Sequence, residues 1–305
     1  MSRIRILLLS VSLCISSVIV AQTALKQSIF LDTKSEAFKK GILELKEYSN
    51  YEVYLTLQRN LKSGNSAAIN SDLVKQAYVT KRVALAPGKY VIDNDIQRFE
   101  FEIDNNNQFI GEGHYVNKRK NLKSNYIFDA GRLKEIQIFN SEGRLRKKDV
   151  FKGNIIEGTV YGYGGKVEQR IETHTDMNPG MNQLVITYHK NGKPSKEVNS
   201  MKNITKEYYQ NGKVKLEMIN SRERTTYEPD GKLSEKWYVT EKGNCKEVYI
   251  KGVITEKSCE NRETGETTVE TYKNGKLTGS TVTNTRKKEV KTYDATKKLL
   301  NTKQL

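Results

Sequence analysis

Apolar and polar side chains alternate along much of the second half of the chain. Leu184, Ile186 and Tyr188 take every second position before Gly192, while Val214, Leu216 and Met218 alternate with Lys213, Lys215 and Glu217 after Gly212. A period of two sends successive side chains to opposite faces, which is the signature of a strand. The breaks between strands carry Asn-Gly or Asp-Gly: YHKNGKPSKE at 188, EYYQNGKVKLE at 207, YEPDGKLSEK at 227 and YKNGKLTGS at 272. Such dipeptides are the strongest short hairpin signal, because a type I′ turn needs positive φ at both central residues. Each motif therefore predicts a β-hairpin.

The turns also recur at a fixed period. Gly192, Gly212, Gly231, Gly252 and Gly275 are 20, 19, 21 and 23 residues apart. That is two strands and two turns per unit, the range of stacked repeat arrays. Weaker copies lie upstream in FDAGRLKE at 128, FNSEGRLRK at 139 and YGYGGKVEQ at 161, and a degenerate copy, YDATKKLL, begins at Tyr293. The fold expected is mainly β: an elongated antiparallel meander of repeated hairpins in which each unit leans on its neighbours.

Residues 22–98 lack the motif and are expected to form a small α+β or β cap over the first edge of the array, which occupies 99–305. Tyr51, Val53, Leu55 and Leu57 alternate with polar or aromatic residues as a strand does. Residues 77–85 and 89–92 read as strands joined at the Pro87-Gly88 turn. Phe99, Phe101 and Ile103 open the array before a turn at Asp104–Asn107. Over 34–48, Phe38, Ile42 and Leu45 favour a short helix, although Leu43 and Leu45 also fit a strand.

Residues 1–21 read as an export signal. Arg3 and Arg5 precede an apolar run with small residues interspersed, and Ala21 stands at the cleavage position. No second apolar span follows, so no transmembrane segment is expected after cleavage. Leu13 before Cys14 is too bulky for a lipoprotein signal. Loss of Arg3 and Arg5 takes the formal charge from +16 to +14. The apolar share is 36%, and seventeen tyrosines add rings that bury area while keeping a hydroxyl in water. That composition suits a thin, well-solvated sheet. The expected location is the periplasm, cell envelope or exterior.

The basic balance has a bland source, Lys and Glu alternating on solvated strand positions, and a sharper one, attraction to polyanions. No nucleic-acid module accompanies the charge, so no specific nucleic acid is expected. Lys193, Lys213, Lys232 and Lys276 directly follow the turn glycines. With hairpins in register they would recur every second strand, about 10 Å apart, beside Tyr188, Tyr209, Tyr227 and Tyr272. Such a row could grip an anionic polymer, or simply keep a turn soluble. Cys245 and Cys259 each lie seven residues from Gly252, so a hairpin turning there sets them opposite or nearly opposite, within disulfide range. In an oxidising compartment a disulfide is the natural outcome, two reduced cysteines being the alternative if the register differs. His114, His174 and His189 lack ligand spacing, and no metal or cofactor is expected. YGYGGK at 161–166 is glycine-rich, but its strand-turn-strand context offers no helix N-terminus to a phosphate.

YYQNGKVKLE, YKNGKLTG and FIGEGHYVNKRKN (109–121) resemble MORN-type repeats, and are most similar to the bacterial variant in YwqK-type antitoxins, over roughly 99–300. The resemblance implies an antiparallel sheet used for binding or scaffolding. The family's Gly-x-Gly pattern is kept clearly at Gly111 and Gly113. The function expected is an exported, non-enzymatic binding or scaffold protein that docks a protein or an anionic envelope polymer on its sheet. An inhibitor or immunity-like protein occluding one partner is the alternative. An enzyme would need acids near 90–115, and no catalytic constellation is identified.

Overall fold

The computed structural model describes residues 22–25, 29–33, 35–48, 78–82 and 85–305. These fall into two compact units, one running to residue 121 and including 125–133, the other comprising 122–124 and 134–305. The expected export signal and the strand expected at 51–57 lie outside the described residues. Residue 98, the expected end of the cap, sits within a strand of the first unit.

The first unit contains β1 (Thr23–Ala24), β2 (Ile29–Leu31), α1 (Glu36–Lys39), β3 (Glu44–Tyr48), β4 (Tyr78–Arg82), β5 (Gly88–Asp93), β6 (Gln97–Ile103), β7 (Phe109–Asn117) and most of β8 (Leu122–Asp129). β5, β6 and β7 pair antiparallel, and β1 runs parallel along β5. β2, β3 and β4 make a separate small antiparallel sheet. Thus 78–82 and 88–93 are strands, as expected, but they join different sheets instead of pairing about Pro87-Gly88.

The helix expected over 34–48 shrinks to one turn, and its second half is strand β3. Ser35 caps it, its Oγ accepting from the Phe38 amide at 3.1 Å. Gly41 ends it at φ +71, where a Cβ would lie 1.3 Å from the Gly131 carbonyl oxygen. Leu43 and Leu45 are buried on either side of Glu44, so the period of two prevails there.

That single turn delivers Phe38 to the core. The fully buried ring meets Phe99, Phe109, Tyr126 and Phe128 at centroid distances of 6.0, 5.3, 5.1 and 5.5 Å, each edge-on. Gln97, Phe99, Phe101 and Ile103 alternate inward along β6. Gly113 leaves room for the Phe99 ring, since a Cβ there would sit 3.0 Å from it. Buried Asn94 is satisfied: its Nδ2 donates to the Ile29 carbonyl, and its Oδ1 accepts from the Ile96 and Gln97 amides.

The second unit is the hairpin array. It runs β9 (Arg132–Phe139, from Lys134), β10 (Leu145–Lys152), β11 (Ile155–Tyr161), β12 (Val167–His174), β13 (Gln183–Tyr188), β14 (Pro194–Asn199), β15 (Ile204–Tyr208) and β16 (Val214–Ile219). It continues with β17 (Glu223–Tyr227), β18 (Leu233–Val239), β19 (Asn244–Ile250), β20 (Val253–Asn261), β21 (Glu266–Lys273), β22 (Lys276–Asn284), β23 (Glu289–Asp294) and β24 (Leu299–Gln304). Each strand pairs antiparallel with the next, so the expected meander of hairpins is what this unit forms. Strand side chains on both faces are mostly half-buried, and Cys245 is its one buried hydrophobic among the described residues.

The turn chemistry differs from the expectation in part. Asn274-Gly275 has positive φ at both residues, as a type I′ turn requires. At Gly192, Gly212 and Gly231 only the glycine does, at +83, +89 and +89. There the Gly192, Gly212 and Gly231 amides donate to the His189, Tyr209 and Glu228 carbonyls, and the ladder shifts register just before each turn. These are longer loops, a type I turn closed by a glycine bulge. The Asn or Asp side chain explains the choice: Oδ1 of Asn191, Asn211 and Asp230 accepts from the Lys193, Lys213 and Lys232 amides at 3.1, 2.9 and 2.9 Å.

Candidate binding surface

Residues opposite one another across strands share a face, so register alone lays out the surface of the second unit. One line runs Glu197, Lys206, Glu217, Thr225, Lys236, Glu247, Lys257, Glu270 across β14 to β21. Two residues further along each odd-numbered strand, on the same face, stand Tyr188, Tyr208, Tyr227, Tyr249 and Tyr272. An aromatic row therefore flanks a line of alternating charge, one ring every second strand, about 10 Å apart.

The two rows are bonded to each other. Tyr208 donates to Glu197 at 3.0 Å, Tyr272 to Glu270 at 2.7 Å, and both Tyr249 and Tyr238 to Glu247, at 2.6 and 3.0 Å. Lys206 pairs with Glu217 at 3.0 Å, and Lys257 with Glu247 at 3.6 Å. Burial, and then the bonds to Glu197 and Glu247, push the Tyr208 and Tyr249 hydroxyls up to about 12. Burial alone would raise the Glu247 carboxyl, but its two tyrosine donors and the Lys257 and Lys236 charges hold it below its usual range.

A raised tyrosine pKa keeps the proton longer in the folded state than in the unfolded chain. The stability it contributes is present below about pH 10 and is lost as pH rises through about 12. Absorbance at 295 nm should therefore show a late-ionising phase from Tyr208 and Tyr249, with unfolding in the same window. Their substitution by Phe should remove the late phase. A titration identical to that of the unfolded chain would contradict the network.

The structure redistributes the residues expected from the sequence. Tyr188, Tyr227 and Tyr272 lie in the aromatic row. Tyr209 does not; its neighbour Tyr208 holds that place, because the loop counts two residues between the ring and Asn211. Tyr209 sits in the turn, its hydroxyl donating to the Tyr227 carbonyl at 2.7 Å. Tyr249 belongs to the row and was missed because Ile250-Lys251-Gly252 follows it in place of the longer motif.

The turn lysines have bonds of their own. Lys193 Nζ donates to the Asn211 carbonyl of the next turn at 2.8 Å, and Lys213 Nζ to the Asp230 carbonyl. Lys232 pairs with Asp230 at 3.0 Å, after the backbone bond from its own amide has already lowered that carboxyl. Lys276 opens β22 beside a two-residue turn and is exposed. The first two thus tie each turn to its successor while keeping their charge in solvent.

Cys245 and Cys259 are register partners, bonded as a disulfide with 4.1 Å between their Cα atoms. The three histidines remain apart: His114 contacts Asn125 at 3.2 Å, His174 contacts Glu172 at 2.8 Å, and His189 Nε2 donates to the Tyr208 carbonyl at 3.0 Å. Among the described residues no helix is long and apolar enough to cross a membrane.

No family model and no curated protein matches the chain. Among solved structures it is similar to a mutant of the TCP10 domain of Danio rerio CPAP, 12% identical over 73% of this chain and 98% of that one, with a TM-score of 0.26. It is also similar to the Photorhabdus luminescens Tc holotoxin pore, 11% identical over 64% of this chain and 12% of that one, TM-score 0.19. A third similarity is to Kluyveromyces lactis Hsv2, 8% identical over 70% and 94% of the two chains, TM-score 0.15. At such scores the likenesses carry no argument about activity or partner.

Proposed function

We propose that the protein is an exported, non-enzymatic docking protein that presents the sheet of its second unit to a partner of the cell envelope. The observation that supports this most is the line of Glu and Lys flanked by tyrosines across β13 to β21. Half-buried rings held in place by hydroxyl bonds to the charged line give contact area at low entropic cost. Repetition at a fixed interval lets one partner be held at several points at once. Thr225 marks the middle of this face, opposite Glu217 and Lys236.

The test is affinity capture on the protein's own envelope extract, at low and high salt, with residues 22–305 immobilised. Retention that is lost when Thr225→Arg plants a long side chain in the face is expected, with the melting temperature unchanged. Equal retention by that variant would move the docking site off this face. One protein held at both salts, in a one-to-one complex, would favour the inhibitor-like alternative.

A further inference from the structure

Three successive turns of the second unit, those at Gly192, Gly212 and Gly231, are stitched together by side chains, and the turn before them is not joined to the series. Asn191 Nδ2 donates to the Gln210 carbonyl at 2.8 Å, and Asn211 Nδ2 to the Pro229 carbonyl at 2.7 Å. The equivalent position in the preceding turn, directly before a positive-φ glycine, is Gly164. It has no side chain to donate, and no hydrogen bond joins turn 162–166 to turn 189–193 among the described residues. Between them lies a cleft of about 830 Å³.

Its lining includes Tyr163, Lys166, Glu168, Arg170, Tyr188 and Lys190. Three cations against one carboxylate leave a net charge of +2. Tyr163 is 75% exposed, with the Arg146 guanidinium 5.4 Å from its centroid. An exposed ring beside convergent polar groups in a concave site is how small ligands are oriented.

We infer that this cleft binds an acid-bearing saccharide. The apolar face of the sugar ring lies on Tyr163, its carboxylate or phosphate meets Lys166 and Lys190, and Glu168 accepts from its hydroxyls. Glu168 disfavours a bare polyanion, whereas a hydroxylated ring can use both signs of charge. The inference rests on the docking reading only in taking the envelope as the source of the sugar.

Trigalacturonate and glucose 6-phosphate separate carboxylate from phosphate, and methyl-esterified trigalacturonate and glucose are the neutral controls. Binding is followed by ligand-observed NMR. At least one acid should bind, more weakly at high salt, and neither neutral form should. Tyr163→Ala and Lys190→Gln should each weaken binding about tenfold. Gly164→Asn should abolish it by donating to the Lys190 carbonyl across the cleft. An asparagine fits at 164, where φ is not positive and no atom lies within 4 Å of the added Cβ.

Failure of both acids to bind, equal binding of the neutral forms, or undiminished binding by all three variants would overturn the assignment. Envelope capture that persists while both acids fail overturns the cleft alone and leaves the docking face standing. Saccharide binding without envelope capture supports the cleft and counts against the docking face.

Discussion

Replacing Phe38 by alanine should cost about 3–5 kcal/mol of stability, read as a fall in the urea midpoint without a change in slope. The side chain is fully buried and is ringed by Phe99, Phe109, Tyr126 and Phe128. Truncation removes the transfer energy of a whole ring and leaves a cavity that four rings on sheet strands cannot close. The one-turn helix has no other buried residue to hold it. Phe38→Leu, which fills most of the volume, should recover much of the loss. An alanine variant as stable as the wild type would mean that α1 does not dock on the first unit's sheet.

Removing the disulfide should be the largest single loss in the second unit. Cys245 and Cys259 are 14 residues apart, and closing a loop of that size stabilises by about 3 kcal/mol in the chain-entropy account. The setting magnifies its weight, since Cys245 is the one buried hydrophobic of this unit among the described residues. Elsewhere stability is spread over ladder bonds and half-buried pairs. Reductant should lower the melting temperature of the wild type to that of a C245A/C259A variant, and should leave the variant unmoved. A wild type insensitive to reductant would show that the bond does not form.

Both losses would be sharper tests of the architecture than any surface change. The ion pairs along the charged line are half-exposed and individually weak. Their value is in register: a slip of one residue would set Lys206 and Glu217 on opposite faces and Tyr208 away from Glu197. The aromatic row needs that register as much as the fold does.

The hairpins were legible in the sequence because they are local. Alternation in Val214, Leu216 and Met218 and the glycine before Lys213 depend only on the pleat and on which residues tolerate positive φ. Counting outward from Gly252 set Cys245 opposite or nearly opposite Cys259, and a one-residue register shift between Val248 and Tyr249 completes the pairing. Tyr208, not Tyr209, stands in the row because it lies three residues before Asn211, as Tyr188 does before Asn191 and Tyr227 before Asp230, and the shorter turn at Gly252 hid Tyr249.

Tertiary structure alone decided the rest, because those contacts join residues with no sequence pattern between them. β4 and β5 are neighbours in the chain, yet each finds its partners in a different sheet. Gly41 is required by a carbonyl ninety residues away, at Gly131. The cleft beside Tyr163 is lined from two turns, 162–166 and 189–193, that no sequence pattern links. Local propensity sets which way a strand faces and where it turns; what it meets there is set by segments that only the fold brings together.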